Sequence, residues 1–109
     1  MRAPEQADGS AISERTDIYA LGIVLYEMLS GSVPFKASTP AALLVKQIQE
    51  LPRPLRVLRG EIPANIERVI MQALEKKPDN RQRDMREFAQ GLIQAESRNV
   101  EATQEISRT

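Results

Sequence analysis

Neither cysteine nor histidine occurs among the 109 residues of this sequence. Without cysteine there is no disulfide, no thiolate nucleophile and no cysteine-based metal site. Without histidine the commonest general base and the commonest metal ligand are gone as well. Tryptophan is absent, and the only aromatic residues are Tyr19, Tyr26, Phe35 and Phe88. The five glycines, at 9, 22, 31, 60 and 91, stand too far apart to form a phosphate-cradling loop. Net charge is also lacking, since 15 basic and 15 acidic side chains cancel. No global field recruits nucleic acid or an anionic membrane. Residues 1–50 carry 4 basic and 6 acidic groups and residues 51–109 carry 11 and 9, an excess too small to make a nucleic-acid surface. The longest apolar run, Ile18 to Tyr26, is far shorter than the roughly 20 residues of a bilayer span. No apolar stretch follows Met1-Arg2-Ala3-Pro4-Glu5, so the start does not read as a signal peptide, and a cytoplasmic location is the default.

What is present reads as one small all-α domain. An apolar content of 41% allows a core, though a small one for its surface. The run from Ile18 is apolar all round, the pattern of a helix buried on every side. With Thr16 and Asp17 at its start and Gly31 just past its end, it predicts a helix over about 16–30. Thr39-Pro40 pairs a capping hydroxyl with proline at the first helical position. It opens a helix to about 50 with Leu43, Leu44 and Ile48 on one side. Leu51 to Gly60 holds Pro52 and Pro54 and reads as an irregular connector. Pro63 opens a third helix, with Ile66, Val69, Ile70, Ala73 and Leu74 at helical spacing and Pro78 as its stop. Asp84 and Glu87 form a capping box for a fourth, to about 95, with Phe88, Leu92 and Ile93 inward. The polar stretch 97–109 is expected to be a disordered tail. Four principal helices result, with no strand alternation and no repeat.

Four short pieces in fixed order carry a resemblance. They are Ala3-Pro4-Glu5, Asp17-Ile18-Tyr19-Ala20-Leu21-Gly22, Ser30-Gly31-x-x-Pro34-Phe35, and Ala73-Leu74-x-x-x-Pro78-x-x-Arg81. Together they resemble the C-terminal lobe of eukaryotic-type Ser/Thr protein kinases, especially the bacterial branch. Residues 1–96 are thus expected to be a partial kinase domain, from the Ala-Pro-Glu motif onward. The resemblance implies a structural ion pair between Glu5 and Arg81, for which a planar guanidinium fork is suited. The bland alternative is a helix-start glutamate and a surface arginine. It implies that Asp17 accepts hydrogen bonds from backbone amides of a catalytic loop; otherwise Asp17 is an N-terminal anion favoured by the helix dipole. Gly22 either admits a close backbone or is simply small.

The family's helix matching residues 40–50 and the loop beside it form a common docking surface. Phe35, Leu43, Leu44, Arg53 and Arg56 are its candidates here; alternatively Arg53, Arg56 and Arg59 are a solvated loop. Phosphoryl transfer needs a nucleotide clamp, a phosphate-binding lysine, metal-binding Asp and Asn, and a catalytic Asp. The sequence has no His-Arg-Asp, no Asp-Phe-Gly and no glycine-rich loop. The family's ATP and magnesium therefore have no site in this chain, and no catalytic, cofactor or metal residue is assigned. Arg2 departs from the small or apolar residue common before the triplet, a hint that Met1 is an internal or substitute start. The expectation is an inactive kinase fragment whose parent transfers the ATP γ-phosphoryl group to Ser or Thr. The alternative is a helical interaction module that binds protein substrates or a separately encoded N-terminal kinase part. A mis-called start or a gene remnant are the other origins left open. A central helix stripped of part of its cover is also expected to make the chain marginally stable, or self-associating.

Overall fold

The structure is a computed structural model that describes residues 3–4 and 13–108, with side chains to Ser97. In order come α1 (Glu14–Ser30), α2 (Pro40–Gln49), a single turn α3 (Leu55–Leu58), α4 (Ala64–Ala73), a 3-10 turn (Pro78–Asn80) and α5 (Met85–Arg108). There is no strand among the described residues. The all-α expectation and its four principal helices hold, and α3 interrupts the predicted connector.

α1 starts at Glu14, two residues ahead of the predicted start, because Ser13 takes the cap. Its carbonyl accepts from the Thr16 N–H at 3.0 Å, and its own N–H donates to Thr16 Oγ1 at 3.2 Å. Gly31 closes the helix in the left-handed region (φ 77°) and donates its N–H to the Glu27 carbonyl at 2.8 Å. That conformation is where a β-carbon is costly and glycine is not.

One side of α1 makes the core. Tyr19, Ile23 and Tyr26 pack with Leu55, Ile70 and Leu74, and Ile18 packs with Ala73 and Phe88. α4 crosses α1 at Gly22, where an added β-carbon would stand 3.0 Å from Ala73 Cβ and 3.1 Å from Leu74 Cδ2. The close approach at Gly22 is thus to another helix of this chain. The opposite side of α1 is exposed, so the helix is not buried all round. Leu21, Val24, Met28 and Leu29 all show to solvent, Met28 at 73%.

Three further expectations are corrected. On α2 the inward line passes through Gln47, 2% exposed, and Ile48 faces out. On α5 the inward line is Met85, Phe88, Leu92 and Ala95, alternating steps of three and four; Ile93 falls off it and is 61% exposed. Finally, α5 does not end near 95, and its backbone runs on as helix to Arg108. No glycine or proline follows Gly91 to stop it. Extending a docked helix also avoids the nucleation cost an isolated one meets. α5 does start as its cap predicts, with Asp84 Oδ1 accepting from the Glu87 N–H at 2.8 Å.

Candidate functional site

Arg81 organises the polar centre of the molecule. It follows the 3-10 turn in extended backbone and is 3% exposed. Its Nε donates to the Glu75 carbonyl at 2.8 Å, Nη1 to the Arg15 carbonyl at 3.0 Å, and Nη2 to the Lys76 carbonyl at 3.2 Å. The guanidinium carbon lies 4.7 Å from the centroid of the Tyr19 ring. One planar cation therefore joins the first turn of α1 to the segment after α4, which a lysine's single ammonium does not reproduce. Glu5, the partner expected for Arg81, lies outside the described residues. Ala3, at the head of the same triplet, is buried in the cluster that holds Tyr19 and Leu74.

Sequence reasoning missed the residues that surround this hub. Arg15 Nη1 meets Asp79 Oδ1 at 2.7 Å, and Glu14 Oε1 accepts from the Met85 N–H at 2.8 Å. Gln82 is buried and donates to the Val69 carbonyl at 2.9 Å. Only the Pro78-x-x-Arg81 spacing signalled that something would happen here.

Asp17 is exposed, and its carboxylate accepts no hydrogen bond among the described residues. It stands on the open side of α1, in line with Leu21, Val24 and Met28. That side is an apolar stripe with one carboxylate at its N-terminal end.

The predicted docking residues separate. Phe35 and Arg53 line a groove of about 290 Å³ at the C-terminal end of α1, together with Tyr26, Lys36 and Lys46. Leu43, Leu44 and Arg56 are not part of its lining; the Arg56 N–H is bound to Glu67 Oε2 at 2.8 Å. The Tyr26 hydroxyl donates to the Arg53 carbonyl at 2.6 Å, and burial raises its pKa. Behind Phe35, the Lys76 ammonium lies 4.3 Å from the ring centroid. Burial lowers its pKa to about 8, partly offset by the charge of Glu50.

There is no glycine loop, and the described residues hold no group of three acidic side chains placed to share a cation. No helix among them is long and apolar enough to cross a membrane.

The family model described as protein kinase domain matches residues 1–107. The chain belongs to the protein kinase family. It is 40% identical over 106 residues to a probable serine/threonine-protein kinase of Clostridium acetobutylicum, covering 97% of this chain and 16% of that protein. It is 37% identical over 91 residues to the serine/threonine-protein kinase PknB of Mycolicibacterium smegmatis, covering 84% and 15%. Among solved structures, the PknI kinase domain of Mycobacterium tuberculosis superposes with a TM-score of 0.66 at 26% identity. That match covers 86% of this chain and 33% of the solved one. The chain thus spans about a sixth of the first of these relatives and a third of a kinase domain. Its helices correspond to the helical C-terminal part of the kinase fold.

Proposed function

We propose that this chain is the helical base of a bacterial Ser/Thr protein kinase domain, and that the 109 residues alone do not transfer phosphate. The parent reaction is transfer of the ATP γ-phosphoryl group to protein Ser or Thr, in the cytoplasm. The base supplies support and a protein-facing surface for that reaction, while the groups that hold nucleotide and metal are not among its residues. The observation that carries this reading is the open side of α1. A central helix with Leu21, Val24 and Met28 in solvent, and beside them an Asp17 with no hydrogen-bond partner among the described residues, is half of an interface. Titration calorimetry with ATP and magnesium tests it. No saturable heat is expected, and a binding isotherm with a defined stoichiometry would overturn the reading.

The same stripe favours a second reading, in which the chain acts as an interaction module and takes an N-terminal kinase part on that face. Leu21, Val24, Met28 and Leu29 are 37%, 49%, 73% and 36% exposed, together about two full side chains, so the unrealised burial is about 3–6 kcal/mol at 1.5–3 each. With no partner present, self-association uses the same face. We also carry forward the Glu5–Arg81 pair as a proposal. A double-mutant cycle of Glu5→Gln and Arg81→Lys reads it, and additive effects would mean the two do not interact.

A further inference from the structure

We propose that the open side of α1 pairs with the same side of a second copy of this chain, antiparallel and across a two-fold axis at Val24. The proposal rests on the reading above, that this side is half of an interface, and names its occupant. Asp17, Leu21, Val24, Met28 and Gly31 follow one another at steps of four, three, four and three. At about 100° per residue they stay within about 40° of the Asp17 direction, which makes one straight seam along the helix. Leu21, Val24 and Met28 lie exposed on it. Opposite charges stand at its two ends. At the N-terminal end is Asp17, exposed and with no hydrogen-bond partner among the described residues. At the C-terminal end Arg59 reaches over from the turn after α3, its Nη2 3.6 Å from the point where a β-carbon on Gly31 would stand. The ion pair of Arg59 with Glu61 is loose, at 3.9 Å, and more than half of the arginine side chain faces solvent. Each charge sits at the end of α1 that favours it, the anion at the start and the cation at the finish.

Such a seam is complementary to itself. Asp17 and Gly31 are each seven residues from Val24. Antiparallel pairing about Val24 therefore sets Asp17 of one copy beside Gly31 of the other, and hence beside its Arg59. A two-fold axis makes that ion pair twice, as an isologous contact requires. Val24 meets Val24, and Leu21 lies beside Met28 of the second copy. Parallel pairing instead sets Asp17 against Asp17 and Arg59 against Arg59, with the helix dipoles aligned. Charge thus selects both the partner and its direction. The contact is small. The 17 residues of α1 span about 25 Å, and one helix face of that length belongs with the weak, reversible interfaces below about 1,200 Å². The chain is expected to be a monomer when dilute and a dimer when concentrated.

The test is sedimentation equilibrium of the full chain over a range of concentrations, joined to disulfide trapping. The chain has no cysteine of its own. Val24→Cys should cross-link on mild oxidation, because the two thiols meet at the axis. Met28→Cys should not, since four residues on each side of the axis put the two about 12 Å apart, beyond the roughly 7 Å limit for bridged α-carbons. Asp17→Arg or Arg59→Glu alone should weaken the dimer about fivefold or more, because each turns two attractive pairs repulsive. An equimolar mixture of these two variants should regain the parent's dimer affinity, because the mixed dimer restores both pairs. Equal cross-linking of Met28→Cys, the mark of parallel pairing, overturns the proposal. So does indifference to the charge reversals, or a mixture no tighter than either variant alone. A dimer that survives Val24→Glu also overturns it, since its contact lies elsewhere. A chain that stays monomeric at every concentration overturns it while leaving the open side to an N-terminal kinase part. The reading beneath it fails by a different measurement, the ATP binding isotherm.

Discussion

Replacing Arg81 by alanine removes a buried cation that three backbone carbonyls use, those of Arg15, Glu75 and Lys76. Hydrogen bonds to a charged donor are worth about 1.5–3 kcal/mol each, and truncation leaves the carbonyls unpaired. The three share one guanidinium, so their losses do not simply add. About 3–5 kcal/mol, the usual cost of breaking a buried charged network from one side, is the expected loss. Small domains have about 5–15 kcal/mol in total. At roughly 4 °C or more per kcal/mol for a chain of this size, the midpoint should fall by at least about 12 °C. Far-ultraviolet circular dichroism in thermal and urea melts reads both quantities. The urea midpoint should drop at constant slope, showing lost stability rather than a changed denatured state. Arg81→Lys should recover less than half of the loss, because an ammonium cannot span Arg15 and Glu75 together. An alanine variant within about 0.5 kcal/mol of the parent, the range of ordinary surface changes, would refute the hub. So would a lysine variant that melts like the parent.

Other perturbations have clear signs. Gly22→Ala should destabilise by about 1–3 kcal/mol from overpacking, outweighing the roughly 1 kcal/mol gained in helix propensity, because Ala73 Cβ cannot step aside. Gly91→Ala should raise the melting temperature by contrast, since its nearest neighbours, the Val69 methyls at 3.4 Å, permit a β-carbon and α5 gains the propensity. Lys76 has a folded pKa of about 8 against an ordinary 10.5, so the unfolded chain binds more protons in between. Stability should therefore rise as pH goes from about 8 towards 10, and Lys76→Met should abolish that rise; an unchanged pH profile in the variant would contradict it. Above 10 the trend is opposed by Tyr26, whose raised pKa favours the fold only while the phenol stays protonated. Val24→Glu should change the melt by less than about 0.5 kcal/mol while reducing self-association in sedimentation, because that side chain already faces water.

Local chemistry was legible wherever one residue type and one position settle the outcome. Thr39-Pro40 starts α2, with Thr39 Oγ1 accepting from the Ala42 N–H at 3.1 Å, and Asp84 starts α5 in the same way. The stripe from Ile66 to Leu74 set the inward side of α4. Errors arose where neighbours in sequence compete. Ser13 and Thr16 are both good caps, and Gln47 and Ile48 differ in direction by only about 100° of helix. Polarity put the end of α5 near 95, although no glycine or proline beyond Gly91 breaks the helix. Of the site, the sequence pointed to Arg81 but not to its three carbonyls, which belong to the turn after α4 and the start of α1. The groove was only half visible, because Lys36, Lys46 and Arg53 come from three segments that the fold brings together. The open side of α1 was readable in one respect: nine consecutive apolar or small residues leave more surface than four helices cover.

The proposal that this chain holds the base of a kinase and not its chemistry is open to direct test. The direct measurement is transfer of label from γ-labelled ATP, with magnesium, to a Ser/Thr-containing protein substrate by the purified chain. Incorporation no greater than in a buffer control is expected at every chain concentration. Incorporation that scales with the chain and copurifies with it through successive columns would contradict that proposal.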